Sequence, residues 1–176
     1  MGRCDGSRDS ARSLRVSVGG IPRFQQEAIV SEGWRVDRVV VPVDLSDLSM
    51  YAVETALKLA PASGVHVVTV LEPLSAIEPG VIYGTINDAD RAARVRATLE
   101  RTLEERGIRG VHLDVRTGPP GVTICDYAEE ISAGLIVVPS HGRTGLRRLL
   151  IGSVAEVIVR HATVPVLVLR LPKTET

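Results

Sequence analysis

The sequence predicts an α/β protein: an open, parallel, five-stranded sheet with helices on both faces. Three observations carry this. Short, continuous apolar runs rich in valine recur along the chain, as strands buried on both faces require. Longer stretches with apolar residues at helical spacing separate them. The two types alternate, which is the signature of parallel strands joined by helical crossovers.

Arg38 to Val43 reads as the first strand. Ser46 or Asp47 can cap the helix that follows. Val53, Ala56, Leu57 and Ala60 form its apolar stripe, and Pro61 and Gly64 end it. Val65 to Leu71 is the second strand. A loop of about sixteen residues follows, with Pro73, Pro79 and Gly80; loops that long are uncommon unless functional or mobile. Asp88 to Arg106 is a strongly charged helix with a narrow core face of Ala92, Val95, Leu99 and Leu103. Its Glu and Arg residues read as a solvated face. Val111 to Val115 is the third strand and Val122 to Ser132 the third helix. In that helix Val122, Cys125 and Ala128 share a buried-face spacing, so Cys125 reads as a small buried hydrophobe. Leu135 to Val138 is the fourth strand, stopped by Pro139. Gly152-Ser153 opens a last helix with Val154, Val157, Ile158 and Ala162 at helical spacing, and Val164 to Leu169 is the fifth strand.

Composition narrows the function classes. The 176 residues suit one domain. Formal net charge is zero and aromatics are 3%, so neither a basic nucleic-acid surface nor a base-stacking platform is indicated. No run approaches the roughly 18 apolar residues that span a bilayer. The two cysteines, Cys4 and Cys125, make neither a disulfide framework nor a zinc spacing, and a reducing cytoplasm is the expected location. Residues 1–34 are expected to be a flexible extension, since their Gly, Ser, Arg and Asp lack periodicity. A partner-binding arm or a misassigned start are alternatives. The domain is expected over residues 35–172.

The chemistry concentrates between the fourth strand and the last helix. Gly142 and Gly145 permit close backbone approach. The helix start at Gly152-Ser153 offers N–H groups and a partial positive charge to an anion. Together they make a candidate phosphate cradle. The bland reading of the same residues is a tight turn followed by an N-cap serine. Asp44 ends the first strand and can equally cap a helix. Arg143, Arg147 and Arg148 can offset phosphate charge or face solvent. His141 has no partnered Ser or Cys nucleophile, and no catalytic role is expected for it.

The run Leu135 to Arg170, LIVVPSHGRTGLRRLLIGSVAEVIVRHATVPVLVLR, resembles the universal stress protein family. Nucleotide-binding members carry Gly, two residues, Gly, nine residues, then Gly-Ser or Gly-Thr. Here Gly142 is followed by the nine residues Arg143 to Ile151 and then by Gly152-Ser153; the first glycine is replaced by Pro139. Proline has a ring and no N–H, so one backbone contact is lost. The opening VVVPVDLSDLSMYAVETALKLA and the tail ATVPVLVLR are also similar to the family, and the resemblance covers about Asp37 to Arg170.

The resemblance implies a Rossmann-like, adenine nucleotide alpha hydrolase-like sheet with strand order 3-2-1-4-5. It implies ATP, with or without magnesium, as cofactor, bound at Pro42, Val43, Asp44, Val70, Val138, Pro139, His141, Gly142, Arg143, Gly152, Ser153 and Val154. Asp44 would lie beside adenine and ribose, and the backbone of Val70 would meet the adenine edge. It implies a homodimer through Val164 to Leu169, a regulatory role with little or no hydrolysis, and a protein partner that the sequence does not name. The alternative is a dimeric interaction module of the same fold without nucleotide, which Pro139 favours. Rival folds lack their marks: there is no Walker lysine motif and no G-x-G-x-x-G.

Overall fold

A computed structural model describes residues 36–74, 87–140 and 152–170. The expectations for residues 1–34, most of the long loop after the second strand, and His141, Gly142 and Arg143 fall outside these. Among the described residues five strands are present: β1 (Val39–Pro42), β2 (Val65–Leu71), β3 (His112–Thr117), β4 (Leu135–Pro139) and β5 (Val166–Leu169). They form one sheet in the order β3-β2-β1-β4-β5, and every neighbouring pair is parallel.

Four helices connect them: α1 (Asp47–Ala56), α2 (Asp88–Glu105), α3 (Pro120–Glu130) and α4 (Ser153–His161). Their starts follow local chemistry. The Ser46 hydroxyl accepts the Ser49 N–H at 3.2 Å and caps α1. Asn87 accepts the Asp90 N–H at 2.8 Å and caps α2, whose first turn also carries Asp88 and Asp90 at the positive end of the helix dipole. Pro120 opens α3, where its missing N–H costs nothing.

Side-chain alternation divides the core between the two faces of the sheet. Val39, Val41, Val65, Val67, Leu135 and Val137 pack with Met50, Val53 and Ala56 of α1 and Leu99 and Leu103 of α2. Val40, Val68, Ile136 and Val138 pack with Ile124, Tyr127 and Ala128 of α3 and Ala155 and Ile158 of α4. Both layers bury these side chains nearly completely, and this burial is the main favourable term in folding.

The differences from expectation are local. β4 ends at Pro139 and includes it as the last residue, in register with Leu169, one residue beyond the expected Val138. Proline is tolerated there because it sits at the strand's end. Val122 is exposed, so the buried face of α3 is Ile124, Cys125, Tyr127 and Ala128. Burial pushes the Cys125 thiol up, with Asp126 and Glu129 adding to the shift. β3 runs on to Thr117, and β5 begins at Val166.

Candidate functional site

In an open parallel sheet, ligands bind beyond the carboxyl ends of the strands, where the chain order reverses. Here that point lies between β1 and β4. A cleft of about 300 Å³ opens there. Pro42, Val43 and Asp44 line it from the end of β1, Val68 and Val70 from β2, and Val138 and Pro139 from β4. Pro120 and Ile124 of α3 and Gly152, Ser153, Val154 and Ala155 at the start of α4 complete the wall. Nine of the twelve residues named from sequence line this cleft: Pro42, Val43, Asp44, Val70, Val138, Pro139, Gly152, Ser153 and Val154. The other three, His141, Gly142 and Arg143, lie outside the described residues.

Asp44 is held in a tight turn. Its Oδ1 accepts the Ser46 N–H at 3.1 Å and the Ser46 hydroxyl at 2.6 Å. Leu45 between them has φ of 65°, left-handed backbone that is strained for leucine. Its side chain packs partly buried against the α1/α2 layer, which offsets that strain. The turn is fastened to β2 as well. The Val43 N–H donates to Val68 at 2.9 Å, and the Thr69 hydroxyl donates to the Val43 carbonyl at 3.0 Å. Asp44 is the only ionisable side chain among the described lining residues.

Opposite stands the start of α4. Gly152 is its N-cap, in an extended conformation (φ −61°, ψ 152°), and provides no side-chain cap. The bland reading of Ser153 as the N-cap therefore does not hold: Ser153 is the first helical residue. The first bond within the helix runs from Glu156 N–H to the Gly152 carbonyl at 2.9 Å. The N–H groups of Ser153, Val154 and Ala155 thus have no intrahelical acceptor. The Gly152 N–H itself donates to the Ser140 carbonyl at 2.7 Å.

Four lining residues were not named from sequence. Val68 follows from Val70 by strand periodicity, and Ala155 sits in the first turn of α4. Pro120 and Ile124 reach the cleft only because α3 crosses close to α4. At that crossing a Cβ on Gly121 would lie 2.5 Å from the Cβ and Cγ1 of Val157. The absence of a side chain at Gly121 is what lets the two helices meet.

A doubly wound sheet with a cleft at its switch point, an acid at the end of β1 and a helix start beyond β4 defines a ligand-binding α/β class. The Universal stress protein family pattern matches residues 35–170, and the chain belongs to this family. It is 31% identical over 144 residues to universal stress protein MJ0531 of Methanocaldococcus jannaschii, covering 78% of this chain and 84% of that protein. It is 28% identical over 166 residues to the stress response protein NhaX of Bacillus subtilis, with 78% and 99% covered. Among solved structures it is similar to universal stress protein UspA from Lactobacillus plantarum, with TM-score 0.62, 25% identity, and 77% and 99% of the two chains covered. It is also similar to a universal stress protein in complex with cAMP, with TM-score 0.52, 25% identity, and 77% and 98% covered. Among the described residues no helix is long and apolar enough to cross a membrane, and no group of three His, Cys, Asp or Glu is placed to hold a metal.

Proposed function

We propose that the cleft binds an adenine nucleotide, ATP with or without magnesium, and that its occupancy is the signal this stress-response protein transmits. The observation that supports the reading most is the cleft's division of chemistry. Val43, Val68, Val70, Val138 and Ile124 offer apolar walls to a planar base. Asp44 offers a carboxylate to ribose hydroxyls. The three N–H groups at the start of α4 that lack an intrahelical acceptor offer a positive dipole end to phosphate. A nucleotide-bound relative, the universal stress protein in complex with cAMP, has the same fold. Magnesium would ride on the phosphates, since the described lining residues supply one carboxylate.

Among the described lining residues the one acid, Asp44, is held by Ser46, which does not suit it to activate water. Little or no hydrolysis is therefore expected. The protein acts as a homodimer through the 164–169 segment, whose strand β5 stands at the sheet's edge. The expected location is cytoplasmic. Gentle purification, denaturation and chromatography of the released small molecules test the reading. An adenine nucleotide at near-stoichiometric yield supports it. An empty protein that also fails to take up added ATP overturns it.

A second reading, an interaction module with a closed cleft, rests on Pro139. Pro139 is a lining residue, where the family's nucleotide-binding pattern has a bare glycine.

A further inference from the structure

On the same face of the sheet as the cleft, the β2–β3 pairing sets His66 beside His112. Their rings stack with centroids 4.5 Å apart and planes 17° from parallel. Nδ1 of His66 lies 3.0 Å from the hydroxyl of Tyr127 on α3. Arg116 of β3 lays its guanidinium carbon 4.8 Å from the centroid of the Tyr127 ring. Asp114 at 3.1 Å and Glu130 at 2.9 Å hold that arginine in place. Nε2 of His112 lies 3.1 Å from the Ser63 carbonyl. Tyr127 is buried, whereas His112 is exposed and open to protons from solvent.

The charged and titratable groups around His66 come from three sides. β3 brings His112, Asp114 and Arg116; α3 brings Tyr127 and Glu130; Arg38 stands just before β1. On the β1 side the paired residue is apolar Val40. A neutral His66 can accept the Tyr127 hydroxyl proton at Nδ1. A protonated His66 carries a hydrogen there and can only donate it to the hydroxyl oxygen, so the hydroxyl must turn and give up its own donation to His66. Its new charge would also sit against a second imidazole and near two arginines, in a partly desolvated place.

We propose that the stacked His66–His112 pair and the Tyr127 hydroxyl form a proton-released latch, which holds α3 against β2 and β3 at neutral pH and loosens it on acidification. Burial holds His66 below the usual histidine value of 6.5; His112 and then Arg38 act in the same direction, and Asp114 opposes them. A histidine depressed in the folded state binds fewer protons than in the unfolded chain. Stability from the latch is thus full above about pH 6.5 and is lost as pH falls through the folded value. The consequence reaches the cleft, because Ile124 lies one helical turn before Tyr127 on α3 and Pro120 opens the same helix. The inference does not depend on which ligand the cleft takes.

Amide hydrogen exchange on the full, ligand-free chain tests it, at about pH 7.5 and about pH 5.5, the range in which histidine charge changes. Rates are corrected for the intrinsic pH dependence. α2, on the opposite face, is the internal reference. The expected result is a severalfold loss of protection in α3 at the lower pH, with α2 unchanged. Tyr127→Phe keeps the ring under Arg116 but removes the hydroxyl. It should lower α3 protection at the higher pH and shrink the pH effect to the part that comes from charge beside His112 and the arginines. His112→Gln, at an exposed position, should shrink the effect and let His66 titrate closer to 6.5 by imidazole NMR. Equal α3 protection at both pH values in the wild type overturns the latch. So does a loss shared equally by α2, which is global acid destabilisation, or an undiminished pH effect in His112→Gln.

Discussion

The backbone N–H of Gly152 donates to the carbonyl oxygen of Ser140 at 2.7 Å, tying the start of α4 to the end of β4. The bond spans residues 141–151 and sets where the helix start can stand relative to the sheet. It also bears on which amides the proposed phosphate could use. The Gly152 amide, which the sequence motif singles out, is already engaged. The groups left for an anion are the amides of Ser153, Val154 and Ala155. The glycine's value lies in having no side chain beside them.

The α3–α4 crossing should be intolerant of even one added methyl group. Gly121→Ala would place a Cβ 2.5 Å from Val157 and 3.3 Å from the Val154 carbonyl. Overpacking of this kind costs about 1–3 kcal/mol. Because Val154 lines the cleft, ligand affinity should fall as well. Val157→Ala in the same chain removes one of the two colliding atoms, Cγ1, and should restore part of the loss. Urea denaturation of the single and double variants measures this. A double variant no more stable than Gly121→Ala would mean the strain lies elsewhere.

Much of this architecture was legible in the sequence, for identifiable reasons. Val65 to Leu71 is read correctly at both ends because Gly64 and the Glu72-Pro73 step bound an apolar run. The cleft residues from β1, β2 and β4 follow from strand ends and one topological rule. Other features depend on distant partners. Val122 has the right spacing for burial, but α3 turns that side to solvent. Leu45 gives no sign of its left-handed backbone, since leucine rarely adopts it. His66 and His112 are separated by more than forty residues, and only the parallel register brings them together.

Asp44 should matter through its charge more than through its turn. Its Oδ1 organises Ser46, and an asparagine keeps an acceptor at that place. Asp44→Asn should therefore preserve thermal stability while weakening nucleotide binding. Asp44→Ala should weaken binding by about 1–3 kcal/mol, the scale for losing a charge-assisted hydrogen bond, and also loosen the turn. Calorimetric titration with ATP and magnesium, paired with thermal melts, separates the two effects. Full affinity in both variants would remove Asp44 from the site.

The dimer expectation is best tested at Leu167. Val166 and Val168 pack against the α3/α4 layer, so lysine at either would damage the protomer itself. Leu167 is exposed on an edge strand, where unpaired backbone and apolar side chains invite a second chain. Leu167→Lys should shift the mass in sedimentation from dimer to monomer with the fold intact by circular dichroism. A wild type already monomeric at micromolar concentration would rule this interface out.

Pro139 decides between an open and a closed cleft. It ends β4 in register with Leu169 and is one of the residues lining the cleft. Its backbone has no N–H to offer a ligand. The next residue is already committed, since the Ser140 N–H donates to the Leu169 carbonyl at 2.7 Å. Pro139→Gly removes the ring and adds an N–H while leaving the Ser140 bond in place. If the cleft takes nucleotide in the native chain, this change should leave ATP affinity equal or tighter. Gly152→Val is the opposing control. Its extended backbone accepts a valine without strain, so the fold should survive while the side chain obstructs approach to the α4 amides. Affinity should then fall by about 2 kcal/mol or more, as the loss of hydrogen bonds to a charged group implies. Calorimetry of the three proteins on one scale reads the outcome. Binding by Pro139→Gly alone would show that the proline has closed the cleft, and the interaction-module reading would replace nucleotide binding for the native chain.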